Sequence, residues 1–284
     1  MRAGSDFTHV LLTRFNLATP GRESTLRNRP GWLNRRFELF ERHCLPSVAA
    51  QSDAHFHWII FFDKDTPEPF RTRIAEAQAV RPFTAFFTGL FKDNGWIRAI
   101  RERVGAETPW LLTTRLDNDD GLASDFVARL HAKLRGQPTP SQRVALNFRQ
   151  GFVLQDGRLY AHHHESNAFV SLLEPFDEEA RTTSSIKHME MADYARVHQI
   201  DGPGAWLQVV HEENVSNVAR GRLIAPSAAA APFAPGVLGQ LAPVSAADLA
   251  TDRFLNAPLR VLRDFARMAG RRVRDRMRSM LARP

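Results

Sequence analysis

The feature that most constrains the fold of this 284-residue chain is an alternation of short apolar runs and amphipathic segments in its first half. The apolar runs have the length and composition of buried strands, whereas the segments between them repeat apolar residues every three or four positions. The predicted strands are 10–15, 56–62, 82–88 and the stretch from 109 to an acidic cluster at 117, and the predicted helices are 32–49, 69–80, 96–104 and 124–134. Pro46 is expected to bend or end the first helix early. This alternation predicts an α/β fold, a mostly parallel sheet with helices on both faces.

The pattern changes after residue 140, where short strands follow one another. They are predicted at 144–148, 152–154, 158–160, 168–173 and 206–210, and Gln155-Asp156-Gly157 is typical of a hairpin turn. We therefore predict three parts: an α/β domain over 1–222, an Ala/Pro-rich linker over 223–250 and a basic amphipathic helix over 251–284.

Composition narrows the class of protein. The net charge is +7, and the ten arginines and three aspartates that follow residue 250 account for all of it. A protein that binds DNA or RNA normally spreads its basic residues over the folded surface, so we expect no nucleic-acid partner. Cys44 is the only cysteine, and the first residues lack the apolar segment of a signal peptide. Both features are typical of a cytoplasmic protein.

An acidic cluster, Asp117-Asn118-Asp119-Asp120, follows the apolar strand that begins after Pro109. Like charges repel, so such a run is either a solvated turn or a set of ligands held around a cation. Arg14, Asp63 and Asp117 all fall at the ends of predicted strands. Because ligands of parallel α/β sheets bind beyond the carboxyl ends of the strands, we expect these side chains to form a site.

The sequence of the acidic cluster was compared with known metal-binding and phosphate-binding motifs. A helix-loop-helix calcium site counted from Asp117 would need Gly and Glu where Leu122 and Ala128 stand. Neither a Walker loop nor a GxGxxG fingerprint occurs in the sequence. A strand-end Asp-x-Asp pair that binds Mn²⁺ or Mg²⁺ together with the phosphates of a substrate remains, with a solvated acidic turn as the alternative.

Two sets of motifs resemble known glycosyltransferases. Asp93-Asn94-Gly95, Arg98-Ala99 and TPWLLTTRLDNDD are similar to the donor-binding half of GT-A glycosyltransferases. HVLLTRFNL, RRFELFERHCLPSVAAQSDAHFHWIIFFDKDTP, NAFVSLLE and WLQVVHEENVSN resemble a narrower group, the bacterial putative rhamnosyltransferases, over roughly residues 9–221. The resemblance implies a GT-A-like, Rossmann-like fold and transfer of a sugar, with rhamnose expected, from a dTDP-, UDP- or GDP-linked donor to a glycan or lipid-linked acceptor.

The resemblance also implies roles for the cluster. Asp119 is expected to bind the metal directly, and Asp117 to hold the ribose or to bind the metal through water. Asp120 is expected to face the donor sugar as a catalytic residue, although Asp is also favoured as the N-cap of a following helix. His211, at the end of the strand 206–210, is expected on the metal, with a hydrogen-bonded strand-end histidine as the alternative.

The nucleotide is expected to contact residues at the strand ends. Arg14 and Arg115 interrupt or close apolar strands, where a guanidinium needs a partner such as a diphosphate or a carboxylate. Asp63 resembles the acidic residue that GT-A folds place near the nucleobase, and Thr13 adjoins Arg14. The predicted nucleotide-sugar-binding residues are Thr13, Arg14, Asp63, Arg98, Arg115 and Asp117.

Transfer with inversion needs a general base to accept the proton of the acceptor hydroxyl. Glu174 follows five largely apolar residues, so partial desolvation is expected to raise its pKa and suit it to this role. The rivals are Asp177, Glu178 and Glu190, and the alternative for Glu174 is a solvated strand end.

The run His162-His163-His164-Glu165 could be a metal-binding tract or an exposed loop on the acceptor side. Consecutive histidines cannot all face one ion, which favours the loop.

The end of the chain has two stripes at helical spacing. Apolar residues recur from Leu255 to Met280, and arginines recur from Arg260 to Arg278. A helix of this kind over 255–281 can lie on an anionic membrane, which would place the protein peripherally on the inner face. The alternative is a helix that packs on the domain or on another subunit.

Three functions are therefore compared. The leading one is a metal-dependent glycosyltransferase in the assembly of surface glycans. A nucleotidyl or phosphoryl transferase also uses carboxylates with a divalent metal, but TRFNLATPG after the first strand matches its usual phosphate loop poorly. A membrane-docked scaffold that keeps the fold without chemistry is the non-enzymatic alternative.

Overall fold

Two β-sheets with helices packed against them make up the computed structural model of the chain. It describes residues 7–17, 27, 29–89, 95–105, 107–135, 142–211, 220–229, 233–263 and 266. The strands are β1 (Phe7–Arg14), β2 (His57–Asp63), β3 (Thr84–Thr88), β4 (Trp110–Arg115), β5 (Gly121–Leu122), β6 (Val144–Phe148), β7 (Gln150–Gln155), β8 (Arg158–His163), β9 (Ser171–Pro175), β10 (Arg196–Ile200), β11 (Trp206–Val210) and β12 (Arg222–Leu223). The helices are α1 (Trp32–Leu39), α2 (Leu45–Ala49), α3 (Glu68–Val80), α4 (Gly95–Val104), α5 (Phe126–Leu134), α6 (Thr182–Ser185), α7 (Met191–Tyr194) and α8 (Ala246–Thr251).

The first sheet has seven strands in the order β10-β6-β9-β4-β1-β2-β3. All neighbours in it are parallel except β9, which runs antiparallel between β4 and β6. The four strands predicted in the first half of the chain are its β1, β2, β3 and β4. The predicted α/β class with a mostly parallel sheet is therefore confirmed.

The two faces of the first sheet bury different side chains because successive residues of a strand point in opposite directions. Leu11 and Leu112 point to a first face, where they pack in one cluster with Phe37 of α1 and Phe126 of α5. Leu12 points to a second face, which is covered by α4 and α6. Both faces are covered by packed side chains, which explains why the strands are nearly continuous apolar runs.

A π-helical turn, Phe40–Cys44, joins α1 to α2 where the sequence predicts one helix bent by a proline. Leu45 N–H donates to the carbonyl of Phe40, five residues back. Pro46 then falls in the first turn of α2, where the missing N–H costs little. The helix therefore continues to Ala49 rather than stopping early.

The second sheet has the order β12-β8-β7-β11-β5 and lies over the first face. Trp206 of β11 anchors it: the indole Nε1 donates to the carbonyl of Phe148 at 2.8 Å, and the ring stacks on Phe169. A Cβ on Gly151 would lie only 2.0 Å from the Trp206 ring, so only glycine fits there. Its β7 and β8 form the predicted hairpin around Asp156 and Gly157.

The segment predicted to be a linker packs on the second sheet in its described part. Val237 is fully buried with side chains of β7, β8 and β11, and its carbonyl accepts from His43 Nδ1 at 2.6 Å. The boundary at residue 222 stays a prediction.

The chain after this segment is tied to the second sheet by Asp252. This carboxylate is 2% exposed and accepts from the backbone N–H of Leu223 at 2.8 Å and from Arg260 at 2.7 Å. Arg260 also lies over the ring of Tyr160. The rest of the predicted basic helix, apart from residue 266, lies beyond residue 263 and outside the described residues. Within the described part of the chain, no helix has the length and apolar character needed to span a membrane.

Candidate functional site

Polar side chains from three neighbouring strands meet at the carboxyl edge of the first sheet. Arg14 ends β1, Asp63 ends β2 and Arg115 ends β4, and these strands are adjacent and parallel. The acidic cluster follows Arg115 directly. The strand ends thus lie where α/β sheets bind their ligands.

A cleft at this edge opens on the second face between β1, β4, α4 and α6. It is lined by Leu12, Arg14, Trp96, Arg115, Asp117 and Ser184, and we call it the arginine cleft. Arg115 Nη2 lies 3.0 Å from both carboxylate oxygens of Asp117. The lining of the cleft thus includes two guanidinium groups, a type of group that binds anions, and one carboxylate.

Asp119 is the charged centre of the cluster. It is 6% exposed, and its Oδ2 lies 2.7 Å from Arg36 Nη1 and 2.8 Å from His211 Nε2. Burial alone would raise its pKa, but the hydrogen bond from His211 and the charge of Arg36 outweigh burial and hold the pKa at about 2. Asp119 is therefore a carboxylate at any physiological pH.

Asp119 and His211 are residue types that bind divalent cations, and in this structure Asp119 Oδ2 and His211 Nε2 are hydrogen-bonded to each other. No group of three or more His, Cys, Asp or Glu side chains converges within the described ranges, and Glu212 and Glu213 lie outside them. Two protein ligands fit a divalent ion that takes its other ligands from phosphate and water. Asp117 is also engaged, since Arg115 lies 3.0 Å from both of its oxygens.

Asp120 is buried beside Asp119 and ties the cluster to the second sheet. Its Oδ1 accepts from the backbone N–H of Val209 at 2.8 Å, two residues before His211. Burial, and then the charges of Asp119 and Asp117, raise the pKa of Asp120 well above its usual value. The residue that caps α5 is Asp125, so the N-cap alternative for Asp120 is wrong.

Asp63 lies at the same edge but contacts other partners than Arg14. Its carboxylate pairs with Arg27 and accepts from the backbone N–H of Asp65 at 2.8 Å. Asn16 accepts from the backbone N–H of Asp63. These bonds fix the end of β2 next to the end of β1.

Two predicted nucleotide-binding residues lie away from the arginine cleft. Thr13 points to the first face, where it is fully buried and accepts from the indole of Trp58 at 3.0 Å. Its side chain cannot reach a nucleotide, so this prediction is corrected. Arg98 is exposed on α4 and is not among the residues that line the cleft.

Glu174 lies at the wrong edge of the sheet for a general base. It is fully buried on β9 opposite Leu111, four residues before Arg115, which is about 13 Å along the strand. Its oxygens accept from the backbone N–H groups of Arg181 and Thr182 and from Tyr194 Oη. Burial does raise its pKa, as predicted, but the carboxylate has a structural role.

The family of the chain is decided by its sequence. The family model described as "Putative rhamnosyl transferase" matches residues 8–223. The chain belongs to this family. The match covers β1 to β12, and so includes the arginine cleft and the acidic cluster.

Solved structures of sugar and nucleotide transferases show distant similarity to this rhamnosyl transferase family member. Staphylococcus aureus TarS 1–349 in complex with UDP has a TM-score of 0.42 at 10% identity, over 72% of this chain and 60% of that one. A putative nucleotide-diphospho-sugar transferase from Desulfovibrio desulfuricans G20 has a TM-score of 0.36 at 10% identity, over 74% and 83%. The inositol-1-phosphate CTP transferase of T. maritima has 0.34 at 10%, over 71% and 89%. The chain thus spans 60% of the length of the TarS fragment, and no curated protein sequence matches it.

Sequence reasoning missed three residues of the site. Arg36 stands on a helix whose charged residues are expected in solvent, yet its side chain is only 15% exposed and reaches Asp119. Ser184 enters the arginine cleft from a segment with no motif. Trp96 had a signal, since it directly follows the Asn94-Gly95 turn of the GT-A resemblance.

Proposed function

We propose that this family member is a glycosyltransferase that moves a sugar, with rhamnose expected from the family, from a nucleotide-sugar donor to a hydroxyl acceptor. The observation that carries the proposal is the arginine cleft at the carboxyl ends of β1 and β4, which is lined by Asp117, two residues before the buried Asp119 that pairs with a histidine. An enzyme that uses a nucleotide-sugar donor needs positive charge where the diphosphate binds. It also needs room beside the diphosphate for the sugar whose bond to it breaks.

The diphosphate of the donor is proposed to bind in the arginine cleft. Arg14 and Arg115 supply charge-assisted hydrogen bonds to its oxygens. Asp117 holds the Arg115 guanidinium by three hydrogen bonds, so this side chain is oriented before the donor arrives. Preorganised charge of this kind favours the leaving diphosphate as the glycosidic bond breaks.

A Mn²⁺ or Mg²⁺ ion is proposed to be held by Asp119 and His211. Such an ion acts as a Lewis acid that offsets the charge of the leaving diphosphate. Arg36 adds a fixed positive charge at the same Asp119 oxygen, and Asp120 holds the β11 end that carries His211.

The acceptor is proposed to be a glycan or a lipid-linked glycan reached at an anionic membrane on the cytoplasmic side. Leu255, Leu259 and Leu262, on the helical segment anchored by Arg260, are between 56% and 64% exposed. Apolar side chains that point outward from an arginine-rich segment suit a lipid interface.

Nucleotide binding tests the proposal directly. We expect dTDP, UDP or GDP to raise the unfolding temperature, more so with Mn²⁺, because a ligand of the native state stabilises it. Arg14→Gln and Arg115→Gln should each weaken binding by about 10- to 100-fold, as loss of a charged hydrogen bond implies. Arg196→Gln is the matched control, since Arg196 is exposed at the start of β10, on the opposite edge.

Three other outcomes would replace the proposal. Equal nucleotide affinity in all three variants would show that the diphosphate does not bind in the arginine cleft. Release of pyrophosphate from a nucleoside triphosphate and a sugar phosphate would identify a nucleotidyl transferase. No binding and no turnover with any nucleotide sugar would leave the non-catalytic scaffold.

A further inference from the structure

A second pocket lies at the same edge of the first sheet as the acidic cluster. It has a volume of about 300 Å³, which is at the lower end of the range of small-molecule sites. Its polar and exposed lining comes from Asn147, Glu165, Ser166, His188, Met189 and Gln199. We call it the His188 pocket.

The strand directions place the His188 pocket beside the arginine cleft. Asn147 and Gln199 lie near the carboxyl ends of β6 and β10. These two strands run parallel to β4, because β9 between β4 and β6 is antiparallel to both. One strand separates β4 from β6, so the nearest strands of the two sites lie about 10 Å apart. That spacing suits two substrates that react with each other.

Both sites also open on the second face. Leu172 of β9 pairs with Thr113 of β4 and packs in one cluster with Ile186 and Met191. The segment 184–192 therefore crosses this face. It contributes Ser184 to the arginine cleft, and His188, Met189, Met191 and Ala192 to the His188 pocket. One short segment borders both sites.

His188 is locked in one tautomer between them. Its Nδ1 lies 2.6 Å from the carbonyl oxygen of Ser166, which can only accept, so Nδ1 carries the proton. The Ser166 hydroxyl donates in return to the carbonyl of His188. Nε2 therefore presents a lone pair, and no hydrogen-bonding partner for it exists among the residues that the structure describes.

The electrostatic surroundings keep this ring neutral. Burial lowers the pKa of His188, the hydrogen bond to Ser166 and the charge of Asp117 raise it, and the charges of Arg115 and Arg220 lower it further. The net direction is downward, so the base form dominates near pH 7. The influence of Arg115 and Asp117 also places the ring within electrostatic range of the arginine cleft.

The walls of the His188 pocket combine groups that recognise sugars. Gln199 is held in place by Asn147, whose amide donates to Gln199 Oε1 at 2.7 Å. Asn147 itself is fully buried and also bonds to the carbonyl of His164 and the backbone N–H of Asn167, so its role is to position Gln199. Glu165 offers an exposed carboxylate, and Met189, which is 72% exposed, offers an apolar surface. Polar groups that bind hydroxyls beside an apolar patch suit one face of a sugar ring.

We propose that the His188 pocket binds a sugar acceptor and that Nε2 of His188 is the general base of the transfer. Nε2 takes the proton from a hydroxyl of the acceptor while the oxygen of that hydroxyl forms a bond to the anomeric carbon of the donor sugar. The bond from that carbon to the diphosphate breaks, and its electron pair leaves with the diphosphate. The imidazolium that remains returns its proton to solvent.

This inference rests on the proposed function, so its test must separate the two. Three activities of the full chain are measured with dTDP-rhamnose or a UDP-hexose: nucleotide binding, hydrolysis to water, and transfer to octyl hexosides. A wild-type chain that neither binds nor hydrolyses a donor would overturn the proposed function, and this inference with it.

His188→Asn is the decisive variant, because the asparagine amide can still donate to the Ser166 carbonyl but has no group at Nε2. We expect unchanged nucleotide binding and a loss of hydrolysis and transfer of about 100- to 10,000-fold. The wild-type rate should fall as the pH drops through the His188 pKa, and the residual rate of the variant should lack this acid limb. His163→Asn is the matched control, because His163 is an exposed histidine on β8. It should leave nucleotide binding, hydrolysis and transfer unchanged.

Met189→Ala tests the pocket separately. We expect a higher KM for the octyl hexoside with an unchanged rate of hydrolysis, and Val80→Ala, at an exposed valine on α3, should alter neither. Wild-type rates of hydrolysis and transfer in His188→Asn would exclude His188 as the general base. A wild-type KM in Met189→Ala would overturn the pocket.

Discussion

The carboxylate of Glu174 accepts the backbone N–H of Thr182 at 2.8 Å, at the edge of the sheet opposite the acidic cluster. Thr182 has a φ of 61°, a left-handed conformation that a β-branched residue adopts only when its surroundings enforce it. Two residues later the chain delivers Ser184 to the arginine cleft. Glu174 therefore fixes the turn that leads to Ser184.

Glu174→Gln should lower stability rather than proton transfer. A glutamine has one acceptor oxygen, so it cannot accept from both Arg181 and Thr182 with the strength of a carboxylate. We expect the free energy of unfolding in urea to fall by about 1–3 kcal/mol. Glu76→Gln, at an exposed position on α3, should stay within about 0.5 kcal/mol. A variant of full stability that has lost only transfer would restore Glu174 as the base.

Asp119→Asn should abolish the effect of Mn²⁺ on nucleotide binding, because an amide oxygen is a weaker ligand than a carboxylate. It should also lower the unfolding temperature, since Arg36 then keeps a largely buried charge without its partner. Titration of UDP or dTDP with and without Mn²⁺ measures the first effect. Asp65→Asn, at a carboxylate that is 74% exposed, is the control. An undiminished Mn²⁺ effect would exclude Asp119 as a ligand.

The pH dependence of stability should reflect a buried chain of hydrogen bonds. His131 Nδ1 donates to Asp53, His9 Nδ1 to His131 Nε2, and Thr114 to His9 Nε2, so every bond is made only when both rings are neutral. Burial lowers the pKa of His9 and of His131 below 6.5. The unfolded chain then binds more protons than the folded chain, and stability falls as the pH drops below about 6.5.

Urea unfolding between pH 7.5 and 5 measures this effect. His131→Asn should have a flatter profile than the wild type, by at most about 1.4 kcal/mol per pH unit, which is the contribution of one proton. Other buried histidines act in the same direction, so the difference between the two proteins is the quantity to compare. His163→Asn should retain the wild-type slope. Equal slopes for wild type and His131→Asn would mean that His131 is not held neutral.

Gly151→Ala should destabilise the packing of the second sheet. The added Cβ would lie 2.0 Å from the Trp206 ring, which is fixed by its bond to Phe148 and by Phe169. We expect a loss of about 1–3 kcal/mol or more in the free energy of unfolding. Gly89→Ala is the matched control, because a Cβ there has no heavy atom within 4 Å. Equal stability of the two variants would show that Trp206 can move.

Membrane binding is best tested without truncating the chain, because removing Asp252 would break its bonds to Leu223 and Arg260. Replacing the exposed Leu255, Leu259 and Leu262 together by Gln leaves those bonds in place. We expect the wild type to sediment with anionic vesicles and the triple variant to sediment less, since burial of each leucine in lipid is lost. Equal sedimentation of the two would favour a helix that packs on protein.

The amino-acid sequence by itself determined the parallel part of the first sheet, the edge at which Arg14, Asp63 and Asp117 gather, and the family. Strand and helix periodicities are local properties of the chain, and consecutive parallel strands must all end at one edge. The pairing of Arg115 with Asp117 was among the partners that the sequence allowed, because the two residues are only two positions apart.

Only the tertiary structure decided which strand ends face the site. Glu174 and Asp117 both follow apolar strands, but β9 runs antiparallel, so its carboxyl end lies at the opposite edge. The direction of a strand depends on its partners in the sheet, which its own residues do not encode. The same holds for Arg36, which reaches Asp119 from a helix 83 residues earlier, and for the place of His188 between two clefts. Contacts between distant segments arise only when the sheet order is fixed, and that order is a property of the whole fold.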